Sequence, residues 1–543
     1  MHLKKITKFI NLPIDFSRLT AGIFLFHGLL FLAGYLVLGI SPYISSGAVF
    51  LVILLDVAFC AALLNSSDRS AAHILVLSWF LIIFSLVRLI ALLLLPPQTL
   101  EFLTPDGLNS EEIFNGLLLY VSGSIAILFG IYAADRLVPQ NVLPLNLPTR
   151  MFSLWSITGY WLVTYLVAYY VIVHLGLTIF GPPEKWGSRS AWVRIIFDTD
   201  VALLITICWL AIKWQAKSLT KAQMVHAGIL VFTWLLFSIA IGSRGGPLRI
   251  LIFLFFAGIA VNARFKFSLL KFTILILSFF VLNSVVFAVG TIFRHQKIGD
   301  ITFSQAIDDY KQSYSNSKMA KGASFSGISD LRKKYYESEL VIEIGRKLRP
   351  TIVRLSLVDY SFVIFAKKPN EEALDFYIRS SYPLKNFANN LVPGEIFDEA
   401  IVSTSRIFMI AYRGYTLDHI QKAYMSEPWT VWGMAWILGK YWGGFILFGV
   451  GFCVQALFSV VSSQALKYLV YVRCSYLVTV VSTGYMLFGI DHELSFIAHF
   501  SVACLVAFGL LQLFDLFGRK LKPLKVSKLL SDGGDIQRKT NIS

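Results

Sequence analysis

Two stretches of this chain carry side chains able to do chemistry. The first is the turn at 242–248, where Gly242, Ser243, Arg244, Gly245, Gly246 and Pro247 separate two apolar runs, with Arg249 just beyond. The glycines let the backbone turn tightly, and Pro247 suits the first turn of the next helix. The N–H groups opening that helix, together with the Arg244 guanidinium, make a site for an anion. A plain tight turn with snorkelling arginines is the other reading. The second stretch is 412–442. There Glu427 precedes Pro428 and the aromatic residues Trp429 and Trp432, and Asp418 adjoins His419. A carboxylate partly desolvated by indoles can act as a general base. It can equally be an interfacial acid suited to a helix start. Asp418 and His419 form a second acid/base pair or a solvated helix face. Arg406 and Arg413 are seven residues apart, two helical turns, so both fit one face and could hold a phosphate. Tyr412, Tyr415, Tyr424, Trp429, Trp432, Trp436, Tyr441 and Trp442 read either as an interfacial belt or as a platform for sugar rings.

These residues must be positioned by membrane helices. Of the 543 residues, 56% are hydrophobic, and apolar runs of ~18 residues or more recur along the chain. Twelve candidate spans lie at 19–40, 48–64, 71–95, 113–134, 152–180, 198–214, 223–242, 247–263, 268–293, 441–463, 465–489 and 495–517. The region 429–463 also has room for a re-entrant segment before its span. The expected fold is an all-α polytopic membrane protein with about 12 transmembrane helices and one long, partly helical extracytoplasmic loop. Residues 1–293 form an N-terminal membrane bundle of about nine spans, 294–440 the loop domain, 441–517 the last three spans and 518–543 a basic tail. No cleavable signal peptide is expected, because the first apolar run is too long and lacks a small-residue cleavage site.

The net charge of +16 would suit nucleic acid in a soluble protein. Here the charge follows topology. Lysines and arginines recur in every even-numbered connection and in the tail, which places both termini in the cytoplasm; no nucleic-acid partner is expected. Three outer groups break that bias: Lys185, Arg189 and Arg194; Arg244 and Arg249; and the cations of the long loop. Together they can form an anion-attracting rim. Within the loop, Leu340, Ile342, Ile344, Leu348, Ile352, Leu355 and Leu357 suggest an apolar stripe over 339–365, with Pro350 starting or kinking a helix. Asp56, Arg88 and His499 fall in or near spans and are functional candidates on that ground, with a structural Asp56–Arg88 pair as the other reading. All five cysteines sit in apolar runs, so neither a disulfide framework nor a thiolate metal site is expected. Asp491, His492 and Glu493 are adjacent, which is poor geometry for chelation. There is no GxxxxGK[ST] loop for ATP and no HExxH.

The spans, their orientation and a long outer loop before the last three spans resemble the O-antigen polymerase family. Two local patterns carry the resemblance. Gly242 to Leu248 is similar to the Gly-Ser-Arg-Gly turn that opens a membrane helix in such polymerases and in the related ligases. Leu391, Val392 and Pro393, then Ser426, Glu427 and Pro428, then Trp432, Gly433, Gly443 and Gly444, are similar to the family's late loop. Gly394 stands where the family usually has Arg, which leaves Arg406 or Arg413 as substitutes. The resemblance implies a glycosyltransferase that joins undecaprenyl-diphosphate-linked oligosaccharide repeat units on the outer face. It implies Arg244 as the main diphosphate ligand, assisted by Arg249 and Arg194, and Glu427 as the base ahead of His419. Arg189, Arg406, Arg413, Tyr412, Trp429 and Trp432 complete the expected substrate contacts. No metal or other cofactor is expected, since arginines supply the electrostatics. Membrane lipid and a chain-length regulator protein are the remaining expected partners. The alternatives are an O-antigen ligase and a non-enzymatic lipid or polysaccharide transporter.

Overall fold

The computed structural model describes residues 13–39, 41–67, 70–100, 108–138, 152–173, 199–215, 217–240, 266–268, 329–354, 357–366, 368–375, 404–416 and 430–465, with isolated positions within 249–308, at 385 and within 503–515. Among the described residues the architecture is helical apart from one antiparallel strand pair, β1 (Pro13–Asp15) with β2 (Lys266–Ser268). Among the described residues six runs are long and apolar enough to cross a membrane: Phe16–Leu38, Ser46–Asn65, His73–Leu94, Ser110–Leu137, Lys221–Ile239 and Thr430–Ala456. The last five spans expected from the sequence lie mostly outside the described residues, except 441–463.

Polar caps set where the first spans begin. Helix α1 (Phe16–Leu38) starts where the Asp15 carboxylate accepts from the N–H groups of Ser17 and Arg18. Helix α2 (Ser46–Asn65) is capped by Ser45. Helix α3 (Ser70–Leu81) continues through a π-helical turn, Ile82–Leu86, into α4 (Val87–Leu94). Such a turn inserts a residue and rotates the face that the next helix presents. Helix α5 (Ser110–Leu137) opens with a capping box made by Asn109 and Glu112. Three further helices come next: α6 (Leu154–Val173), α7 (Thr199–Gln215) and α8 (Lys221–Ala240).

The loop contributes α9 (Asp330–Tyr336), α10 (Glu339–Arg354), α11 (Val358–Ala366), α12 (Glu371–Leu374) and α13 (Thr404–Arg413). Then come α14 (Thr430–Gly439), a 3₁₀ turn at Lys440–Trp442, and α15 (Gly443–Ala465). Lys440 has φ 46° in that turn, and a side chain on Gly443 would press on the Ala435 carbonyl, so α14 folds back against α15. A span with a separate helical segment before it is what the sequence left room for.

The stripe expected over 339–365 is divided. Helix α10 runs through Pro350 to Arg354, and a break precedes α11. Val341 and Ile352 are buried, whereas Leu340, Ile344 and Leu348 face outward. The face of α10 that docks is set by Gly345, which lies so close to Thr99 that a side chain there would overlap it.

Contacts between connections sort the helix ends. The strand pair joins the segment before α1 to 266–268. Ser67, after α2, donates to Asp135 in the last turn of α5 (2.6 Å). Ser156 at the start of α6 donates to Asp515. Ser67 and Asp135 lie in the second and fourth connections of the sequence reading, whereas Ser156 and Asp515 lie near the ends of its fifth and twelfth spans. The odd-numbered connection after α1 meets the end of α4, where Ser41 Oγ donates to the Leu92 carbonyl (3.1 Å).

Helices α5 and α15 form the tightest seam. A Cβ on Gly130 would overlap the backbone of Phe448 and Phe452, and one on Gly451 would overlap the Ile127 carbonyl. In a membrane the apolar side chains gain nothing by leaving lipid for one another, so close backbone approach at small residues carries helix association. Gly130→Leu is therefore expected to lower the melting temperature in detergent and broaden the size-exclusion peak. Gly228→Leu, at a position with nothing within 4 Å, should leave both unchanged.

Candidate functional site: a loop platform locked to the bundle by two buried arginines

Arg88, in α4, is fully buried and meets Asp359, the second residue of α11, in a two-pronged ion pair: Nε to Oδ1 at 3.0 Å and Nη2 to Oδ2 at 2.7 Å. An arginine placed amid apolar helices is tolerable only when its charge and its donors are met. The sequence offered Asp56 as the partner of Arg88, and the structure corrects that. Asp56 instead takes His27 Nδ1 at 2.7 Å, and His27 Nε2 reaches the Leu86 carbonyl of the π turn at 3.3 Å. Two buried pairs thus replace the one expected. The His27–Asp56 pair ties α1 to α2, and the Arg88–Asp359 pair ties the bundle to the loop.

Arg332, on α9, is the second buried guanidinium. Among the described residues it meets no carboxylate. Its donors go to the carbonyls of Leu38 (3.1 Å), Gly39 (2.7 Å) and Leu93 (2.6 Å) and to the Tyr336 hydroxyl (2.8 Å). The last carbonyls of a helix lack intrahelical partners and carry the negative end of the helix dipole. One side chain therefore caps α1 and α4 together. Ser329 supports it, donating to the Leu38 carbonyl at 2.8 Å while capping α9. Tyr43, in the connection between α1 and α2, joins this layer, where burial first and the neighbouring Tyr336 second push its phenol well above the ordinary range, so it remains a neutral donor. Sequence reasoning passed over Arg332, because cations in a long outer loop are weak evidence of a task. The only local signal was the Ser329 cap.

Helix α11 is the hub on which the candidate residues are arranged. Its Phe362 backbone sits against Gly116 of α5, and Ile364 sits against Gly433 of α14. Tyr360 meets Phe408 of α13 edge-on (5.5 Å between centroids), and Phe365 meets Trp436 of α14 (5.2 Å). Asn370 N–H also donates to the Ala411 carbonyl of α13 at 2.8 Å. Helices α11, α13 and α14 are thereby packed together on the bundle, while α9 and α10 dock on it through Arg332 and Gly345.

That layer corrects two of the expected sugar contacts. Trp432 is fully buried, donates from Nε1 to Ser124 Oγ at 3.1 Å and lies on Tyr120 (4.5 Å between centroids). Tyr412 is buried and stacks on Phe408 at 5.2 Å. Both rings are spent on packing, and neither has a free face for a sugar. The aromatic groups that do stand out are Tyr441 and Trp442, 89% and 70% exposed, with Tyr415 at 36%. Arg413 ends α13 half-buried, and Arg406 lies on the same helix two turns earlier.

Arg249 is corrected in role. Its Nη1 lies 2.6 Å from the Asp200 carboxylate in the first turn of α7, so its charge is met by the protein and it tethers the chain that leaves the 242–248 turn. Arg244, Arg189, Arg194, His419, Glu427 and Trp429 lie outside the described residues, as do His499 and the 491–493 triplet. Three residues beyond Glu427, Thr430 opens α14 with φ 62°, a left-handed conformation that a β-branched residue adopts only under constraint. Its hydroxyl accepts from Gly433 N–H at 3.4 Å. Among the described residues no group of three or more His, Cys, Asp or Glu could hold a metal ion. No family model, no curated protein and no solved structure matches this chain.

The buried pair predicts a specific pattern. Arg88→Leu alone should destabilise the protein by ~3–5 kcal/mol, because it strands the Asp359 carboxylate. It should also open the loop to limited proteolysis. The double variant Arg88→Leu/Asp359→Leu should recover most of the thermal stability. A double variant no better than the single one would mean the pair does not act as a unit.

Proposed function

We propose that this chain is a membrane glycosyltransferase that joins undecaprenyl-diphosphate-linked oligosaccharide repeat units on the outer face of a bacterial cytoplasmic membrane. The observation that supports it is the buried fastening of the loop. A loop joined to the bundle through Asp359 and Arg332 is a layer with fixed geometry, as a two-substrate transfer requires. Segment 417–429, with His419 and Glu427, is strung between α13 and α14, and both of those helices pack on α11. The alternation of spans assigns the 242–248 turn to the same side as the loop.

In the reaction an acceptor sugar hydroxyl attacks the anomeric carbon of the growing glycan. The bond from that carbon to the diphosphate oxygen breaks, and the polyprenyl diphosphate leaves. Glu427 takes the hydroxyl proton, with His419 the second candidate. Arg244 meets the charge that develops on the leaving group, which is where fixed positive charge accelerates such a step most. Arg249 acts by holding the turn through Asp200. Arg413 and Arg406 offer further cationic contacts, as do Arg189 and Arg194, and Tyr441 and Trp442 offer aromatic faces to sugar rings.

Purified protein incubated with a lipid-linked repeat unit should yield a ladder of products. Arg244→Ala and Glu427→Gln should insert normally and abolish that ladder. A non-enzymatic transporter would give no ladder from the unaltered protein, and a full ladder from either variant removes that residue from the site.

A further inference from the structure

We infer that the seam between α5 and α15 holds one phospholipid with an anionic headgroup, its phosphate on Arg136. An apolar groove of about 650 Å³ lies there, walled by Phe129, Tyr132, Tyr441, Phe445 and Phe448, with Arg136 at its end. The glycines explain the groove. Gly130 and Gly451 bring the two backbones into contact at the crossing, and the large rings on either side cannot follow. Gly444 leaves the groove floor open, since a Cβ there would meet nothing within 4 Å. Phe129, Tyr441 and Phe445 are 63%, 89% and 70% exposed on helices that cross the membrane, so lipid is the medium at this face.

Charge and length select the occupant. Arg136 is exposed in the last turn of α5 and takes part in no ion pair among the described residues. Its neighbour Asp135 is engaged elsewhere, accepting from Ser67 at 2.6 Å, and the Tyr132 hydroxyl is committed to the Ala62 carbonyl at 2.8 Å. The guanidinium is therefore the charged group that the groove presents to a headgroup. From Ala126 to Arg136 the α5 wall runs about 15 Å at 1.5 Å per residue, half of a ~30 Å hydrocarbon core. One acyl chain of a single leaflet fits that length, and a much longer polyprenyl chain does not. The headgroup end is the end of α5 where Ser67 and Asp135 meet, remote from the capping box that opens the helix. The inference does not rest on the proposed transfer chemistry, although Tyr441 borders both the groove and the aromatic face offered to sugars.

The test uses the full chain purified in detergent. Native mass spectrometry should find one phosphatidylglycerol retained per chain, and added phosphatidylglycerol should raise the melting temperature more than phosphatidylcholine does. Arg136→Gln, at an exposed position, should weaken phosphatidylglycerol binding about fivefold and leave phosphatidylcholine unaffected. Gly444→Leu fills the floor and should abolish retention of both lipids. Unchanged lipid binding in Arg136→Gln overturns the assignment, whether or not Gly444→Leu folds. Recovery of polyprenyl phosphate, or of no lipid, from the unaltered protein overturns it as well.

Discussion

A guanidinium buried in an apolar helix sets the terms for much of this molecule. Arg88 cannot sit where it does without a counter-charge, and the carboxylate that meets it comes from a loop helix 271 positions further along the chain. Satisfying that one group draws α11 onto the bundle. Because α11 touches α5, α13 and α14, those two loop helices are drawn in with it. The pair is costly to bury and costlier to break, so its contribution lies less in net stability than in fixing which loop helix docks and where.

Arg332 solves a different problem with the same side chain. Two helices end together, and their last carbonyls have no water-facing alternative once the loop covers them. A planar fork of donors reaches both ends at once, which a lysine could not do. The two arginines thus join loop to bundle by opposite logics, one by pairing charge with charge and the other by supplying donors to orphan carbonyls. Both consume cations that a charge count alone would have assigned to anionic substrate.

The same accounting reshapes the chemistry proposed for the chain. Arg249 is matched by Asp200, Trp432 by Ser124 and Tyr120, and Tyr412 by Phe408, so these groups position neighbouring segments. Among the described residues the groups that stay exposed are the rings of Tyr441 and Trp442. Thr430 opens α14 with a positive φ, a conformation that a β-branched residue adopts only under constraint.

The sequence by itself determined that this is a helical membrane protein, because hydrophobic runs and charge bias follow from the lipid environment residue by residue. It also located most of the described span boundaries to within a few residues. Pairing was beyond it. Asp56 and Arg88 looked like partners because both lie in neighbouring spans, yet depth and facing decide partnership, and a π turn between them and a distant loop supplied other answers. The exposed stripe Leu340, Ile344 and Leu348 likewise looked like a core face, since periodicity shows that a helix has sides without saying which side docks. Gly345 decided that, because only a residue without a side chain lets α10 come against Thr99. Which arginines are free and which rings are buried is a property of long-range packing, and only the tertiary structure could decide it.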